Sequence, residues 1–230
     1  MISFNNITKS YGKSEVLNIP TWEIGKNEIV GLVGNNGAGK TTAFSILLDL
    51  IKPTSGRVTS GGQDVSTTEE WKQYTSSFLD DSFLIGFLTP DEYFEFIGML
   101  SNLSSKEVRQ FVEKYEEFFN GEILDKKKYL RDLSKGNQKK AGLIAALIGN
   151  PEVLVLDEPF SNLDPSSQIR LKKIIQEAAA DKTILVSSHD LNHVLEICTR
   201  IVLLEKGVII KDIPNNSEAV DEIQAYFNAV

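Results

Sequence analysis

The sequence predicts an α/β protein with a mostly parallel sheet, an N-terminal antiparallel β-subdomain and an inserted α-helical subdomain. Three observations predict this fold class. Apolar runs typical of strands alternate with segments of helical period on both sides of an insertion. Residues 1–30 read as short strands joined by turns. Between about residues 84 and 130, aromatic and acidic residues dominate at helical spacing, with little strand character.

The composition describes a folded chain with a sizeable core. The chain has 230 residues, of which 41% are hydrophobic and 24% charged, so one or two domains are expected. The formal net charge of −8 argues against nucleic acid as a partner, because such binding needs a basic surface. Cys198 is the only cysteine, which excludes an intrachain disulfide and fits a reducing compartment. No apolar run reaches the roughly 18 residues of a spanning helix, and the N-terminus lacks the pattern of a secretory signal.

The first half of the predicted core follows from apolar periodicity and turn residues. The run IVGLVG (29–34) predicts a buried strand. The segment KTTAFSILLDLI (40–51) predicts a helix that Lys52-Pro53 stops. The segment TSGRVTSGGQDV predicts a strand between two turns.

The insertion and the second half of the core follow in the same way. PDEYFEFIGML and KEVRQFVEKYEEFF predict two helices, and AGLIAALIG predicts a third that Asn150-Pro151 stops. VLVLD (153–157) and TILVSS (183–188) predict strands, with helices over 166–180 and over LNHVLEIC. IVLLEKGVIIKD predicts a hairpin around Lys206-Gly207, and the tail SEAVDEIQAYFNAV is amphipathic.

A phosphate-binding loop is the most specific motif. GNNGAGKT (34–41) fits the pattern G-x-x-x-x-G-K-[ST] between a predicted strand and a predicted helix. Backbone N–H groups of such a loop turn inward around a phosphate, and the helix N-terminus adds positive potential. The alternative, a glycine-rich turn that binds nothing, does not explain why both motif and context match. The expected nucleotide-binding residues here are Gly34, Asn35, Asn36, Gly37, Ala38, Gly39, Lys40, Thr41 and Thr42.

Two carboxylates follow the predicted strand at 153–157. Ligands of a parallel sheet bind at the carboxyl ends of its strands, so Asp157 and Glu158 are expected at the same edge as the phosphate loop. Asp157 and the hydroxyl of Thr41 are then candidate Mg²⁺ ligands. Glu158 is the candidate base that orients or deprotonates an attacking water. Two solvated acids at a strand end would be the alternative.

The order of GNNGAGKT, LSKGN, VLVLDEP, SNLD and SSH resembles the ATP-binding cassette ATPases over about residues 2–210. The resemblance implies a P-loop NTPase core that binds ATP and Mg²⁺ and hydrolyses ATP. It also implies that two cassettes, in a homodimer or paired with another cassette, sandwich the nucleotide head to tail. LSKGN would then be the signature and SNLD the D-loop, with an interface formed by Ser134, Lys135, Gly136, Asn137, Ser161, Asn162, Leu163 and Asp164.

The LSKGN segment can also be interpreted from the residues alone, as the start of a helix. The hydroxyl of Ser134 is placed to cap the following helix, and Gly136 leaves free N–H groups at its positive end. Such an end suits a phosphate, and we expect that phosphate to belong to the nucleotide of the other subunit. Lys139 and Lys140 are expected to be surface charges, and Lys135, where the family usually has glycine, has no assigned role.

Two further side chains take roles from the resemblance. His189 matches the switch histidine, which contacts the γ-phosphate and the attacking water, whereas His193 is expected to be structural. Tyr11 matches the aromatic residue that stacks on adenine, although a strand-end tyrosine in a turn is the alternative.

One position departs from the family pattern. A glutamine that contacts Mg²⁺ and the attacking water is usual in the loop before the helical insertion. Counting back from Leu88-Thr89 places that position at Asp80, whereas Gln73 lies too early. A carboxylate there would ligate Mg²⁺ directly and add negative charge near the γ-phosphate. Asp80 is therefore a third candidate metal ligand.

The resemblance implies a single cassette domain over 1–230, with an ATP-binding core and β-subdomain (1–79 and 141–230) and a helical signature subdomain (80–140). It implies the ATPase subunit of a transporter, located on the cytoplasmic face of the membrane through separate integral membrane subunits. The SKG pattern of the signature resembles subunits of drug, peptide and polysaccharide export systems. Candidate docking aromatics, most of which are expected to pack in the core of the helical subdomain, are Phe83, Phe87, Tyr93, Phe94 and Phe96. A soluble family member that is not coupled to transport, such as an iron–sulfur assembly ATPase, remains the alternative. A P-loop kinase would lack LSKGN and SSH at these spacings.

Overall fold

Two sheets and seven helices form the part of the chain that the structure describes. The structure is a computed structural model, and it describes residues 1–216 and residue 223. The amphipathic tail expected over SEAVDEIQAYFNAV begins at Ser217 and, apart from residue 223, lies outside the described residues.

The N-terminal sheet is antiparallel, with the strand order β2-β1-β4-β5. Its strands are β1 (Ile2–Tyr11), β2 (Ser14–Ile24), β4 (Ser55–Ser60) and β5 (Gln63–Asp64). The expectation of short strands over residues 1–30 was wrong, since β1 and β2 form one long hairpin. Gly12, at φ 61°, supplies the left-handed conformation of its turn. Buried residues such as Phe4, Leu17 and Trp22 place one face of the hairpin on the core.

The second sheet has the strand order β10-β9-β3-β8-β7-β6, and only its β9–β10 pair is antiparallel. Its strands are β3 (Ile29–Val33), β6 (Thr75–Phe78), β7 (Val153–Leu156), β8 (Thr183–Ser188), β9 (Arg200–Glu205) and β10 (Val208–Pro214). Every residue of β3, β7 and β8 is buried, as expected of central parallel strands covered on both faces. The hairpin predicted around Lys206-Gly207 is the β9–β10 pair.

Three helices belong to the parallel sheet: α1 (Lys40–Leu47), α6 (Pro165–Ala178) and α7 (Leu191–Ile197). Helix α1 ends four residues before the predicted end at residue 51. Asp49 adopts a left-handed φ of 51°, which breaks the helix before the Lys52-Pro53 stop can act.

The helical region between β6 and β7 contains α2 (Pro90–Leu100), α3 (Ser105–Val112), α4 (Glu116–Phe119) and α5 (Lys135–Ala145). Capping boxes start two of these helices, Thr89 with Glu92 on α2 and Ser104 with Glu107 on α3. Every described residue between β6 and β7 lies in a helix, a turn or a loop. The predicted subdomain division at residue 140 falls inside α5. The predicted bounds of the core and of the helical subdomain stay a prediction.

Helix α5 packs closely on the end of β6. A Cβ added to Gly142 of α5 would lie 2.1 Å from Cε2 of Phe78, the last residue of β6. Glycine therefore brings the helix backbone against an aromatic ring that is itself buried. This contact fixes the helix that begins at Ser134 against the edge of the parallel sheet.

The five aromatic residues proposed for docking divide into two groups. Tyr93 and Phe94 are buried in the core of the helical region, and Phe96 is partly buried. Phe83 and Phe87 expose 60% and 66% of their surface. Among the described residues, no helix is both long and apolar enough to span a membrane.

Candidate nucleotide site

The predicted phosphate loop connects β3 to α1 at the carboxyl edge of the parallel sheet. Gly37 and Gly39 have φ values of 82° and 107°, which fold the loop back on itself. Gly34 has no room for a side chain, because a Cβ there would lie 2.2 Å from the carbonyl oxygen of Leu204. The loop therefore needs glycine at these positions for conformational and steric reasons.

The side chain of Lys40 is buried and folded back over the loop. Its Nζ donates to the carbonyl oxygen of Gly34 at 2.7 Å and lies 3.2 Å from Oε1 of Glu158. Oε2 of Glu158 lies 2.8 Å from Nδ1 of His189, which is about half exposed. The three predicted residues thus form a row of cation, carboxylate and imidazole beside the loop.

Asp157 is held between two hydroxyl groups. Thr41 donates from Oγ1 to Oδ2 of Asp157 at 2.5 Å, and Ser187 donates to Oδ1. Burial raises the pKa of the Asp157 carboxyl, while the hydrogen bonds from Ser187 and Thr41 act in the opposite direction. The two predicted metal ligands, Thr41 and Asp157, are therefore brought together, and an all-oxygen donor set of this kind fits Mg²⁺.

Sequence reasoning missed Ser187. Its hydroxyl contacts Asp157 and also accepts from the backbone N–H of Glu158 at 2.9 Å. Strands β7 and β8 are parallel, with Leu156 opposite Val186, so the next residues, Asp157 and Ser187, are neighbours at the sheet edge. The apolar pattern of TILVSS with two terminal serines was the available signal.

An open cleft lies in front of the loop. It is lined by Tyr11, Val16, Asn36, Gly37, Ala38, Gly39, Lys40, Thr41, Thr42 and Glu158. Tyr11 is 56% exposed at the end of β1, and its ring centroid lies 4.9 Å from Nζ of Lys9. Tyr11 is thus both a strand-end residue and part of the cleft wall, where a purine could stack. Its role in adenine binding stays a prediction.

The N-terminus of α5 lies apart from this cleft. Ser134 caps the helix by accepting from the N–H of Asn137 at 3.2 Å, as predicted. Gly136 lies beside the D-loop segment, since a Cβ there would be 3.1 Å from the carbonyl oxygen of Asn162. The side chain of Asn137 donates to Glu122 at 2.7 Å. None of these residues lines the cleft of their own chain.

Lysines on the first turns of α5 occupy different environments. Lys135 is exposed, and its Nζ lies 3.6 Å from Oδ2 of Asp81. The expectation that Lys139 and Lys140 are surface charges was wrong, because both are more than 90% buried. The amine of Lys140 lies 5.4 Å from the ring centroid of Phe118, and that of Lys139 reaches the turn after β7. Helical spacing places the aliphatic parts of both side chains against the core, which their charge did not indicate.

The segment predicted to be a D-loop lies directly after the carboxylates. Asp164 caps α6 through Ser167, whose backbone N–H donates at 3.0 Å, and the side chain of Leu163 is buried. The Ser161 hydroxyl donates to the carbonyl oxygen of Glu158 at 2.9 Å. Asn162 has a left-handed φ of 60°. The cap predicted at Asp164 is thus present, while the interface role of this segment stays a prediction.

Asp80 and His193 lie outside the row of site residues. The carboxylate of Asp80 caps the 3₁₀ turn Asp81–Phe83 by accepting from the N–H of Ser82 at 2.8 Å, and these hydrogen bonds lower its pKa. The metal-ligand role of Asp80 stays a prediction. His193 lies with its ring centroid 4.5 Å from that of Phe160, as a structural residue would.

Comparison with known proteins identifies the class to which this fold and this site belong. The sequence model of the ABC transporter family matches residues 17–161. An uncharacterized ABC transporter ATP-binding protein of Methanocaldococcus jannaschii is 34% identical over 209 residues, covering 90% of this chain and 74% of the relative. The bacitracin transport ATP-binding protein BcrA of Enterococcus faecalis is 31% identical, with coverage of 93% and 69%. The chain spans 56% and 52% of two uncharacterized cyanobacterial relatives.

Solved structures agree with the predicted fold class. One described as the ATP-binding subunit of an ABC transporter has a TM-score of 0.84 at 25% identity, covering 99% of this chain and 93% of that one. A dimeric cassette bound to ADP and phosphate has a TM-score of 0.84 at 24% identity, covering 94% and 100%. The chain therefore belongs to the ABC transporter ATP-binding family. It is an ATPase cassette, which confirms the predicted family, fold class and enzyme class.

Proposed function

We propose that this chain binds Mg-ATP in the cleft at its phosphate loop and hydrolyses it only when a second cassette packs head to tail against it. The observation that carries the proposal is the separation of two phosphate-binding features in one chain. Lys40 and Glu158 line the cleft, and His189 contacts Glu158 from outside it, whereas the α5 N-terminus at Ser134 touches none of these residues. A second chain would supply its own helix end to this cleft.

The residues of the cleft have separable roles in the proposed reaction. Lys40 neutralises charge on the β- and γ-phosphates, and the loop N–H groups bind phosphate oxygens. Glu158 orients the attacking water and accepts its proton. His189, hydrogen-bonded to Glu158, orients that carboxylate and reaches the γ-phosphate. The Lys40–Glu158 contact keeps the amine and the carboxylate beside the phosphate loop, close to where they would act.

Thr41 and Asp157 would hold Mg²⁺ in this cleft. Their side-chain oxygens already share one hydrogen bond, and each has lone pairs that a hard cation can use. A bound Mg²⁺ would neutralise charge on the phosphates during transfer. Ser187 would keep the Asp157 carboxylate in its orientation, because it holds the other carboxylate oxygen.

We propose further that the ATPase powers transport through separate membrane subunits on the cytoplasmic side. Phe83 and Phe87 support this role, because both rings are exposed in the segment that joins the parallel sheet to α2. Burying such rings against a partner would stabilise a complex through the hydrophobic effect. The relative named as a bacitracin transport ATP-binding protein is consistent with a role in transport.

ATP-dependent association tests the head-to-tail arrangement. In Glu158→Gln, hydrolysis is expected to stop while ATP binding is kept, so sedimentation should detect a dimer with Mg-ATP and a monomer without nucleotide. A persistent monomer at high protein concentration would contradict the sandwich.

Copurification tests the coupling to transport. Wild-type protein expressed in its own host is expected to copurify with an integral membrane protein, and Phe83→Ser/Phe87→Ser is expected to lose it. Ile169→Ser, at a similarly exposed apolar position on α6, serves as the matched control for removing exposed apolar surface. A wild-type ATPase with no membrane partner would favour the alternative of a soluble family member.

A further inference from the structure

The amine of Lys139 lies at the turn that carries the candidate base. Its Nζ donates to the carbonyl oxygen of Glu158 at 2.8 Å and to the hydroxyl of Ser161 at 2.6 Å. Lys139 is the fifth residue of α5, so a single side chain connects the signature helix to the peptide that follows Glu158. Nothing in the reaction described above uses this side chain.

The backbone at Glu158 is strained and fixed at both ends. Its φ of 45° lies in the left-handed region, which costs a residue with a Cβ about 1–2 kcal/mol. Ser187 accepts from its N–H, and Lys139 donates to its carbonyl oxygen. These two bonds hold the conformation that directs the Glu158 carboxylate to Lys40 and His189.

The amine of Lys139 is buried among carboxylates and hydrogen-bond acceptors, which favours a role in positioning the Glu158 turn over that of an ordinary surface charge. Burial lowers its pKa, while the carboxylates of Asp81, Glu158, Asp80 and Asp157 act to raise it. A buried ammonium group with several nearby carboxylates and two hydrogen-bond acceptors is costly to displace. Its Nζ also lies 5.9 Å from the ring centroid of Phe78, the residue on which Gly142 packs.

We infer that Lys139 is a positioning residue that couples the signature helix to the catalytic carboxylate. When the N-terminus of α5 binds the nucleotide of the partner cassette, the helix takes its closed position. Because Lys139 bonds to the carbonyl oxygen of Glu158, it then holds the Glu158 peptide in a fixed place relative to the helix. The inference rests on the proposed head-to-tail function and adds a residue outside the nucleotide contacts.

Lys139→Met is the informative change, because methionine keeps the apolar stem and removes the amine. We expect kcat to fall about 10- to 100-fold, since small misplacements at a reacting centre have effects of that size. KM for ATP should stay within about twofold, because the phosphate loop is untouched. Lys139→Gln, which keeps an N–H donor on a shorter side chain, should recover part of kcat.

Lys140→Met is the matched control. Lys140 is buried to a similar extent one residue further along α5, but its amine lies near Phe118 and, within the described residues, makes no hydrogen bond to the Glu158 turn. Its kcat should equal that of wild type within about twofold, although its melting temperature falls. An unchanged kcat in Lys139→Met, or an equal loss of kcat in Lys140→Met, would overturn the inference.

A second measurement separates this inference from the proposed function. Glu158→Gln/Lys139→Met should still dimerise with Mg-ATP, because the amine acts on the Glu158 turn and not on the nucleotide. If Glu158→Gln alone stays monomeric, the proposed function fails instead. Should Lys139→Met not fold, Lys139→Gln decides: a lowered kcat at unchanged KM supports the role, and wild-type kinetics overturns it.

Discussion

The contact between α5 and β6 predicts the effect of a single methyl group. In Gly142→Ala, the new Cβ would lie 2.1 Å from Cε2 and 2.4 Å from Cδ2 of Phe78. Carbon atoms at rest are about 3.5–4.0 Å apart, so the helix and the ring would have to separate by at least about 1.4 Å. Because Phe78 is only 4% exposed and the α5 residues around Gly142 are also buried, neither the ring nor the helix can move without disturbing the core.

The expected cost is an overpacking penalty reduced by a gain in helix propensity. Overpacking of a core costs about 1–3 kcal/mol, and an overlap as close as 2.1 Å belongs to the upper part of that range, about 2–3 kcal/mol; alanine in place of glycine offsets about 1 kcal/mol of it. We therefore expect Gly142→Ala to lose about 1–2 kcal/mol. For a domain of this size, that loss lowers the melting temperature by roughly 2–8 °C. Differential scanning calorimetry at a fixed scan rate measures it.

Phe78→Leu provides the control for this reasoning. In that background the ring atoms that meet the new Cβ are gone, so adding Gly142→Ala should cost less than it does in wild type, with a coupling of about 1 kcal/mol. The reasoning is refuted if Gly142→Ala is as stable as wild type. It is also refuted if its penalty is the same with and without the Phe78 ring.

Three further predictions concern charged side chains. Lys40→Met should lower the ATPase rate at least about 100-fold by removing charge stabilisation of the phosphates, measured as phosphate release. Asp164→Ala removes the α6 cap and should cost about 0.5–2 kcal/mol at pH 7. The hydroxyl and N–H groups that donate to the Asp164 carboxylate lower its pKa below the unfolded value. The cap therefore stabilises α6 above a pH of about 4 and weakens as the pH falls. The difference in melting temperature between wild type and Asp164→Ala should shrink below a pH of about 4, and a constant difference would contradict this. If Asp80 ligates Mg²⁺, both Asp80→Gln and Asp80→Ala should shift the Mg²⁺ dependence of hydrolysis, and an unchanged dependence in both would refute that role.

Local patterns sufficed to predict the features that depend on contiguous residues. The phosphate loop, the cap at Ser134 and the strand before Asp157 each lie within a few residues, where glycine spacing and apolar runs act directly. The parallel sheet also placed Asp157 beside Thr41, because carboxyl ends of parallel strands share one edge.

Features that depend on tertiary contacts were not accessible in this way. Lys139 reads as a charged residue on a helix, and only the packing of α5 on β6 directs its amine to the Glu158 turn. Ser187 acts because β8 lies beside β7, a pairing that the order of elements does not specify. The early end of α1 depends on a left-handed Asp49 that propensity did not indicate.

Complementation between two inactive variants tests the composite site most directly. Glu158→Gln removes the base of a chain, and Ser134→Arg blocks the helix end that it offers to its partner. In a mixed head-to-tail dimer one site has both defects and the other has none. Mixed as monomers before Mg-ATP is added, equal amounts should regain activity up to roughly a quarter of wild type, the value for random pairing, in which half the dimers are mixed and each has one intact site. An activity no greater than the sum of the two variants measured alone would contradict the account.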